Sequence, residues 1–563
     1  MSLADITRRG ALMGAAGLSL AACGQRHYDP IPEAEGPFKH GVASGDPDQT
    51  SFVVWTAVTA PAQSVILEVA EDLNFNEIIL TEPVEGLGRG VDNAFPHKTL
   101  VTGLQPGLTY FYRFKMGDAI SPIGQAKTLP QGRVDQFQIH AFSCANYPAG
   151  FFNAYRASAD AGDADLVLHL GDYLYEYGMG SYATDNAERY HRVPDPTHEL
   201  LVYEDYARRH AQYSKDPDLQ AAKAATSWIL IWDDHETANN AFAHGAENHN
   251  EGEGEWEVRR DQALRAYQDW LPVREADPAY ARYGAVQIGD LATLIYLETR
   301  LAARSEEIRM EDIPVSPDTD PNDPEARALV DNWLTQVVGD PSREILGQAQ
   351  LDYVGQALRT SVEAGQPWRI FANQVLMGSI TCPNYITQTP AWLKFVLSRK
   401  GGMVWDFARL TQFDVPMMLD AWDGFPAERA RLFAMAKEAG ADFITLTGDT
   451  HNFWALDLKD QDGWRVGSEF GVTSVTSPSD FEFVTAPGVD FAQMAIDANE
   501  GRVVHNNVYA KGFIRLTLTP EAADVEMVEV SRIDQRDFTV KTESRWRVNR
   551  AIDGVAQPAV RMG

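Results

Sequence analysis

Four short stretches of this sequence place metal-type ligands directly after an apolar run. Ser143-Cys144 follows Phe137 to Phe142, and Gly171-Asp172-Tyr173-Leu174-Tyr175 follows Leu166 to Leu170. Asp233-Asp234-His235-Glu236 follows Trp228 to Trp232, and Gly448-Asp449-Thr450-His451 follows Phe443 to Thr447. Carboxylates, one thiolate, one phenolate and one imidazole at successive strand ends can converge in space, and a carboxylate such as Asp172 can bridge two cations. Calcium is hard and takes oxygen ligands, whereas thiolate and phenolate stabilise iron(III). A single Asp-His pair is usually solvated surface chemistry. Four such groups, each closing a buried-type run, are not surface decoration.

The elements that must hold these ligands are legible as well. The four runs, together with Leu291 to Tyr296 and Trp368 to Ala372, are nearly continuous in apolar residues, as strands buried on both faces require. Helical patterns lie between them, at Glu257 to Trp270 and Pro426 to Ala439. Alternation of this kind indicates an α/β domain, whose sites form beyond the carboxyl ends of the strands. The preceding stretch, from about 38 to 129, reads as all-β. Its Thr109 to Phe114 alternation sets Tyr110, Tyr112 and Phe114 on one face, which fits a small immunoglobulin-like or fibronectin-like sandwich acting as a packing module. The expected division is therefore a leader and linker over 1–30, a β-sandwich over 31–132, and a catalytic domain with a C-terminal segment over 133–563. Thr184 to His198, Glu247 to Glu255 and Pro314 to Asp323 read as surface loops.

The formal net charge of -32 excludes a protein that coats a nucleic-acid duplex, because a polyanion would be repelled. An anionic substrate then needs a local positive site, and bound cations supply one without a basic patch. At the N-terminus, Arg8-Arg9 before an apolar, Gly- and Ala-rich run to Ala22 looks like a signal for the twin-arginine export machinery; the run is too short for a comfortable membrane span. Leu20-Ala21-Ala22-Cys23 resembles a lipoprotein cleavage box, which would make Cys23 a lipid anchor. The expected location is outside the cytoplasm, in the periplasm or membrane-anchored facing outward. With Cys144 and Cys382 as the other two cysteines, no disulfide framework can be read.

Gly171-Asp172-x-x-Tyr175, the Asp234-His235-Glu236 block and Gly448-Asp449-x-His451 together resemble the calcineurin-type metallophosphoesterase pattern, which purple acid phosphatases share. The version here is similar to the alkaline phosphatase D family, in which Ser-Cys stands in place of the first Asp and Asp replaces the first His of the last motif. Further matches run from Phe38-x-His40-Gly41-Val42 through His169-Leu170-Gly171-Asp172 and Asp420-Ala421-Trp422-Asp423-Gly424 to Thr473-Ser474-Val475-Thr476-Ser477. The resemblance implies an α/β fold with a sheet sandwich flanked by helices. It implies that Cys144, Asp172, Tyr175 and His451 hold iron(III), that Asp172 bridges to Ca(2+) with Asp234 and Asp449, and that His235 serves as proton donor or charge stabiliser beside the phosphate. Asn373-Gln374 stands where related phosphoesterases bring another ligand. Glu298 of Leu297-Glu298-Thr299-Arg300 departs from the Asp of many relatives, and a structural pair with a neighbouring Arg could survive the extra methylene.

The implied reaction is metal-assisted hydrolysis of a phosphoester, with no serine nucleophile. Two other readings stand beside it: a phospholipase-D-like phosphodiesterase acting on lipid head groups, and a non-catalytic surface lipoprotein that keeps the fold for binding. Of the remaining residues, His169 reads as a hydrogen-bonded core histidine, Cys382 as small and buried, and Tyr173 and Tyr177 as packing. Arg300 and Arg304 read as structural ion pairs, and His191, His198, His244 and His249 as solvated loop residues.

Overall fold

The computed structural model describes residues 36–563 apart from 60–63, 401, 480–481, 483–488 and 553–554. Arg8, Arg9 and Cys23 lie outside the described residues. No helix among the described residues is long and apolar enough to cross a membrane.

Eight strands come first: β1 (Val42–Gly45), β2 (Phe52–Val58), β3 (Val65–Ala70), β4 (Ile78–Val84), β5 (Phe95–Val101), β6 (Thr109–Met116), β7 (Ala119–Ile120) and β8 (Gly124–Lys127). The helix-alternating region supplies β9 (Phe137–Phe142), β10 (Leu166–Leu170), β11 (Ser227–Ile231), β12 (Gly284–Ile288), β13 (Ala292–Tyr296), β14 (Trp368–Ala372) and β15 (Phe443–Thr447). The C-terminal part adds β16 (Phe453–Lys459), β17 (Arg465–Gly471), β18 (Val503–Asn507), β19 (Lys511–Leu518), β20 (Ala522–Val530), β21 (Val540–Asn549) and β22 (Ala559–Met562).

The strands form three sheets. A ten-stranded sheet runs β22-β21-β20-β19-β9-β10-β11-β1-β2-β5, a seven-stranded sheet runs β12-β13-β14-β15-β17-β16-β18, and a smaller one runs β4-β3-β6-β7 with β8 on β6. The two large sheets face each other across one core. Ile139, Leu168 and Ile229 from the first pack with Leu294, Ile370 and Ile444 from the second. The outer face of each sheet carries its own helix-covered core. Phe142, Val167 and Trp228 pack with Tyr155, Tyr206 and Tyr267 on one side, and Phe371 and Phe443 pack with Leu351 and Leu432 on the other. Both faces of β9, β10, β11, β14 and β15 are therefore dry, which is why these runs show no alternation. The arrangement is the α/β sheet sandwich flanked by helices that the resemblance implies.

The β-sandwich at the start has its own core, in which Tyr110, Tyr112 and Phe114 meet Phe52, Val54 and Leu67. Its inner layer is nevertheless an extension of the catalytic sheet. β1 pairs in parallel with β11, Ser44 opposite Ser227 and Gly45 opposite Trp228. Asp46, just past β1, has a left-handed backbone with φ 44°. Its N–H donates to Trp228 O at 2.8 Å, and its carboxylate accepts from Arg282 Nη2 at 2.7 Å and Arg274 N–H at 2.6 Å. The sequence segments as two units, but the hydrogen-bonded sheet does not, because strand pairing is decided by partners far away in the chain.

The Thr184 to His198 stretch has no helix or strand, as expected, yet it is not a solvated loop throughout. Arg192 is fully buried, with Nε donating to Tyr147 O at 2.6 Å, Nη1 to Asp216 at 2.5 Å and the guanidinium stacked over the Tyr147 ring.

The Asp46–Arg282 pair is buried on both sides. Removing one partner of such a pair leaves the other charge uncompensated and costs about 3–5 kcal/mol. Asp46→Ala is expected to lower unfolding stability by that order in a denaturant titration. A loss below about 1 kcal/mol would mean that this seam is not held by the pair.

Candidate metal centre

The ligand-type residues sit where strands of both large sheets end. Cys144 follows β9, Asp172 follows β10, Asp234 follows β11 and Asp449 follows β15. Four of them have left-handed backbones: Cys144 (φ 59°), Asp172 (φ 53°), Asp449 (φ 64°) and His451 (φ 61°). That conformation costs a non-glycine residue about 1–3 kcal/mol and persists only where the surroundings impose it. It turns the chain sharply at the strand end, and the side chains converge there. Two glycines permit the close approach. A Cβ on Gly171 would stand 2.5 Å from Asp233 N, and a Cβ on Gly448 would stand 2.2 Å from Ser143 Oγ.

The side chains form two overlapping groups. Cys144, Asp172 and His451 each offer one ligand atom, all within 4.8 Å of one another, and so do Asp172, Asp234 and His235. A third group of the same kind joins Asp233, Asp234 and Asp449. Tyr175 Oη lies 3.0 Å from Asp172 Oδ2 and 3.2 Å from His451 Nε2. Donor atoms bound to one cation at about 2.0–2.4 Å stand roughly 3 Å apart, so these spacings suit a shared ion. His451 Nδ1 is 2.7 Å from Pro478 O, which accepts its proton and leaves Nε2 as the nitrogen with a lone pair to offer a cation. Ser477 Oγ donates to Tyr175 Oη at 2.7 Å, and Ser143 Oγ is 2.8 Å from Cys144 Sγ.

The electrostatics also call for cations. Burial, reinforced by Asp234 and Asp233, raises Asp172 well above the carboxylate range; burial and Asp233 do the same for Asp449. Burial and Asp172 raise the Cys144 thiol, and burial pushes His451 down to about 3. Asp172 Oδ1, Asp233 Oδ2 and Asp234 Oδ1 are buried without a hydrogen-bond partner. Acceptor atoms left bare in this way need a counter-charge. One is built in: buried Arg300 pairs with Asp233 and lies 2.9 Å from Asp420 and 3.6 Å from Asp234. Arg304 adds a second buried guanidinium on Asp420, and two such charges cannot balance Asp172, Asp233, Asp234, Asp420 and Asp449 together. The donor set and its bare oxygens fit resident metal ions.

Comparison with known proteins agrees with this geometry. The family model described as PhoD-like phosphatase matches residues 138–527, and its N-terminal domain model matches 24–130. The chain belongs to the PhoD-like phosphatase family. Alkaline phosphatase D of Bacillus subtilis (strain 168) is 30% identical over 518 residues, covering 86% of this chain and 76% of that protein. A solved structure of PhoD superposes with a TM-score of 0.72 at 26% identity, covering 94% of this chain and 93% of the other. A purple acid phosphatase from yellow lupin (Lupinus luteus) seeds shares the fold, with a TM-score of 0.51 at 12% identity over 90% of this chain and 75% of its own. As a PhoD-like phosphatase the chain is a hydrolase of phosphoester bonds, and the reading as a non-catalytic scaffold is set aside.

Within this PhoD-like site the structure brings together Cys144, Asp172, Tyr175, Asp234, His235, Asp449 and His451. It does not add Asn373 or Gln374. Asn373 Nδ2 donates to Val375 O, and Gln374 Nε2 donates to Trp232 O and Leu297 O while its oxygen accepts from Thr299. Both amides are committed to framework bonds. Among the described residues Glu298 pairs with no arginine side chain; it accepts from Trp232 Nε1 and from the N–H groups of Arg300, Leu301 and Ala302. Arg300 and Arg304 do form ion pairs, both with Asp420. His169 is a core histidine 2.7 Å from the Tyr155 hydroxyl, and Cys382 is buried. Sequence reading missed Glu236 as a clamp: its carboxylate accepts from the N–H groups of Asp172, Tyr173 and Asp233, tying the β10 and β11 ends together. It also missed Glu176, whose Oε2 lies 2.6 Å from His235 Nδ1. Glu236 is next to His235 and Glu176 is next to Tyr175, so adjacency to a candidate site residue was the available signal.

The raised Asp172 and Asp449 imply a pH dependence. Stripped of metal, the folded site holds protons above pH 3.8 that the unfolded chain has released, so folded-state stability falls as pH rises. Cations replace those protons. Between about pH 5 and about pH 8, calorimetry should show the melting temperature of chelated protein falling more steeply than that of loaded protein. A stripped protein that gains stability over this window, relative to the loaded form, would contradict the charge-crowding account.

Proposed function

We propose that this phosphoesterase works through iron(III) held by Cys144, Asp172, Tyr175 and His451, with calcium held by Asp172, Asp234 and Asp449. The observation that carries the reading is the position of Asp172, which belongs both to the thiolate and imidazole group and to the carboxylate group around Asp234. Bound cations supply charge neutralisation of the phosphate and a lowered pKa for the attacking water.

The chain's own residues do the rest. Pro478 O orients His451, Ser477 orients Tyr175, and the Asn240 N–H, donating to Asp234 Oδ2 at 2.6 Å, turns Oδ1 toward the shared space. His235 is the proton donor to the leaving alkoxide. One of its ring nitrogens stands within 4.8 Å of carboxylate oxygens of Asp172 and Asp234, and its ring lies against Tyr175, with centroids 4.2 Å apart. The substrate is a phosphomonoester or phosphodiester. Twin-arginine export and a lipid anchor at Cys23 belong to the same proposal, resting on Arg8-Arg9 and on the Leu20 to Cys23 box.

His235→Ala is expected to keep its metals and lose roughly 10²–10⁴-fold in rate, with a smaller loss on nitrophenyl esters, whose leaving group needs little protonation, than on alkyl esters. Loss of metal in that variant would make His235 a ligand instead. If Tyr175 binds iron(III), the pure protein absorbs visible light and Tyr175→Phe shifts or abolishes the band. Iron-free active protein would reject the iron assignment, and restoration of chelated enzyme by zinc alone would reject calcium.

A further inference from the structure

Glu176 follows Tyr175 directly and is fully buried. Its two oxygens have different partners. Oε2 lies 2.6 Å from His235 Nδ1, while Oε1 accepts from the Asn239 N–H at 2.9 Å and from the Asn248 side-chain amide at 2.7 Å. Asn248 is itself fixed: its N–H donates to Asn239 O, and Arg259 Nη1 donates to its carbonyl at 2.7 Å. Arg259 is buried and also pairs with Glu199 and Glu253. A carboxylate can only accept, so the proton between Glu176 and His235 sits on Nδ1.

We propose that Glu176 is a positioning residue for His235, holding Nδ1 as a protonated nitrogen and leaving Nε2 to face the reacting phosphate. The inference rests on the reading of His235 as proton donor. The acceptor at Nδ1 fixes the tautomer and the orientation of the ring, so Nε2 keeps one direction. The Asn239 and Asn248 donors make the arrangement directional, because they occupy the carboxylate oxygen that would otherwise let Glu176 rotate. The Glu247 to Glu255 stretch, which contributes Asn248, thereby belongs to the support of the site although it holds no metal ligand.

Glu176→Gln tests this without a change of size. The two donors claim the new carbonyl oxygen, so the amide NH2 meets Nδ1, which must then accept. The ring loses the Glu176 acceptor that fixes its tautomer. The expected result is unchanged metal content, KM little altered and kcat down about 10–100-fold, the usual cost of removing such a support. The loss should be larger on alkyl than on nitrophenyl esters. In a His235→Ala background, Glu176→Gln should cause no further loss. Asn248→Ala should give a smaller loss with the same ester preference, and it carries the test if Glu176→Gln does not fold. Wild-type rates in Glu176→Gln, equal losses on both esters, or an added loss in the double variant would overturn the proposal. A His235→Ala variant that keeps its alkyl-ester rate would instead overturn the reading of His235 beneath it, and is told apart because it needs no change at Glu176.

Discussion

Mutual repulsion among buried carboxylates is the constraint from which the rest of this site follows. Asp172, Asp233, Asp234, Asp420 and Asp449 are drawn together where the two large sheets meet, and Arg300 is the buried cation that touches most of them. In water such charges would separate. Here they are fixed by strand ends whose backbones are anchored in dry sheets, so the chain cannot relieve the repulsion by moving. Protons or metal ions must do it, and a thiolate, a phenolate and an imidazole on one flank bias the choice toward a metal.

Holding that arrangement requires rigid parts outside the ligand set. Glu236 stitches β10 to β11 through three N–H groups, Gly171 lets the Asp233 backbone approach within a distance that a Cβ would block, and Gly448 does the same for the Ser143 side chain. The segment that ends at Ser477 reaches across to the first sheet: the Val475 N–H donates to Ser143 O, and Ser477 Oγ stands 3.0 Å from Cys144 O and 2.7 Å from Tyr175 Oη. The strain in four left-handed residues is thereby distributed over a framework far larger than the site.

The residues that meet at the candidate site were legible because each follows an apolar run, and a run buried on both faces shows itself in composition alone. The sandwich flanked by helices was legible for the same reason. What was not legible depends on partners distant in the chain. Nothing around Glu176 announces that His235 is its partner, and nothing around Val42 announces that β1 pairs with β11. Asn373-Gln374 misled in the opposite sense, because an amide at a strand end has a ligand's chemistry, and only its orientation toward Val375, Trp232 and Leu297 assigns it to the framework.

The order of strands in the ten-stranded sheet bears on how the protein can be made. β9 lies between β10 and β19, so the strand at residues 137–142 has one neighbour synthesised soon after it and another that does not exist until residues 511–518 emerge. On a ribosome, β9 therefore presents an open row of amides and carbonyls while most of the chain is still being added. β1 waits likewise for residues 227–228. Edges of this kind invite pairing with other nascent chains. A chain cut short before β19 keeps that edge open beside Cys144.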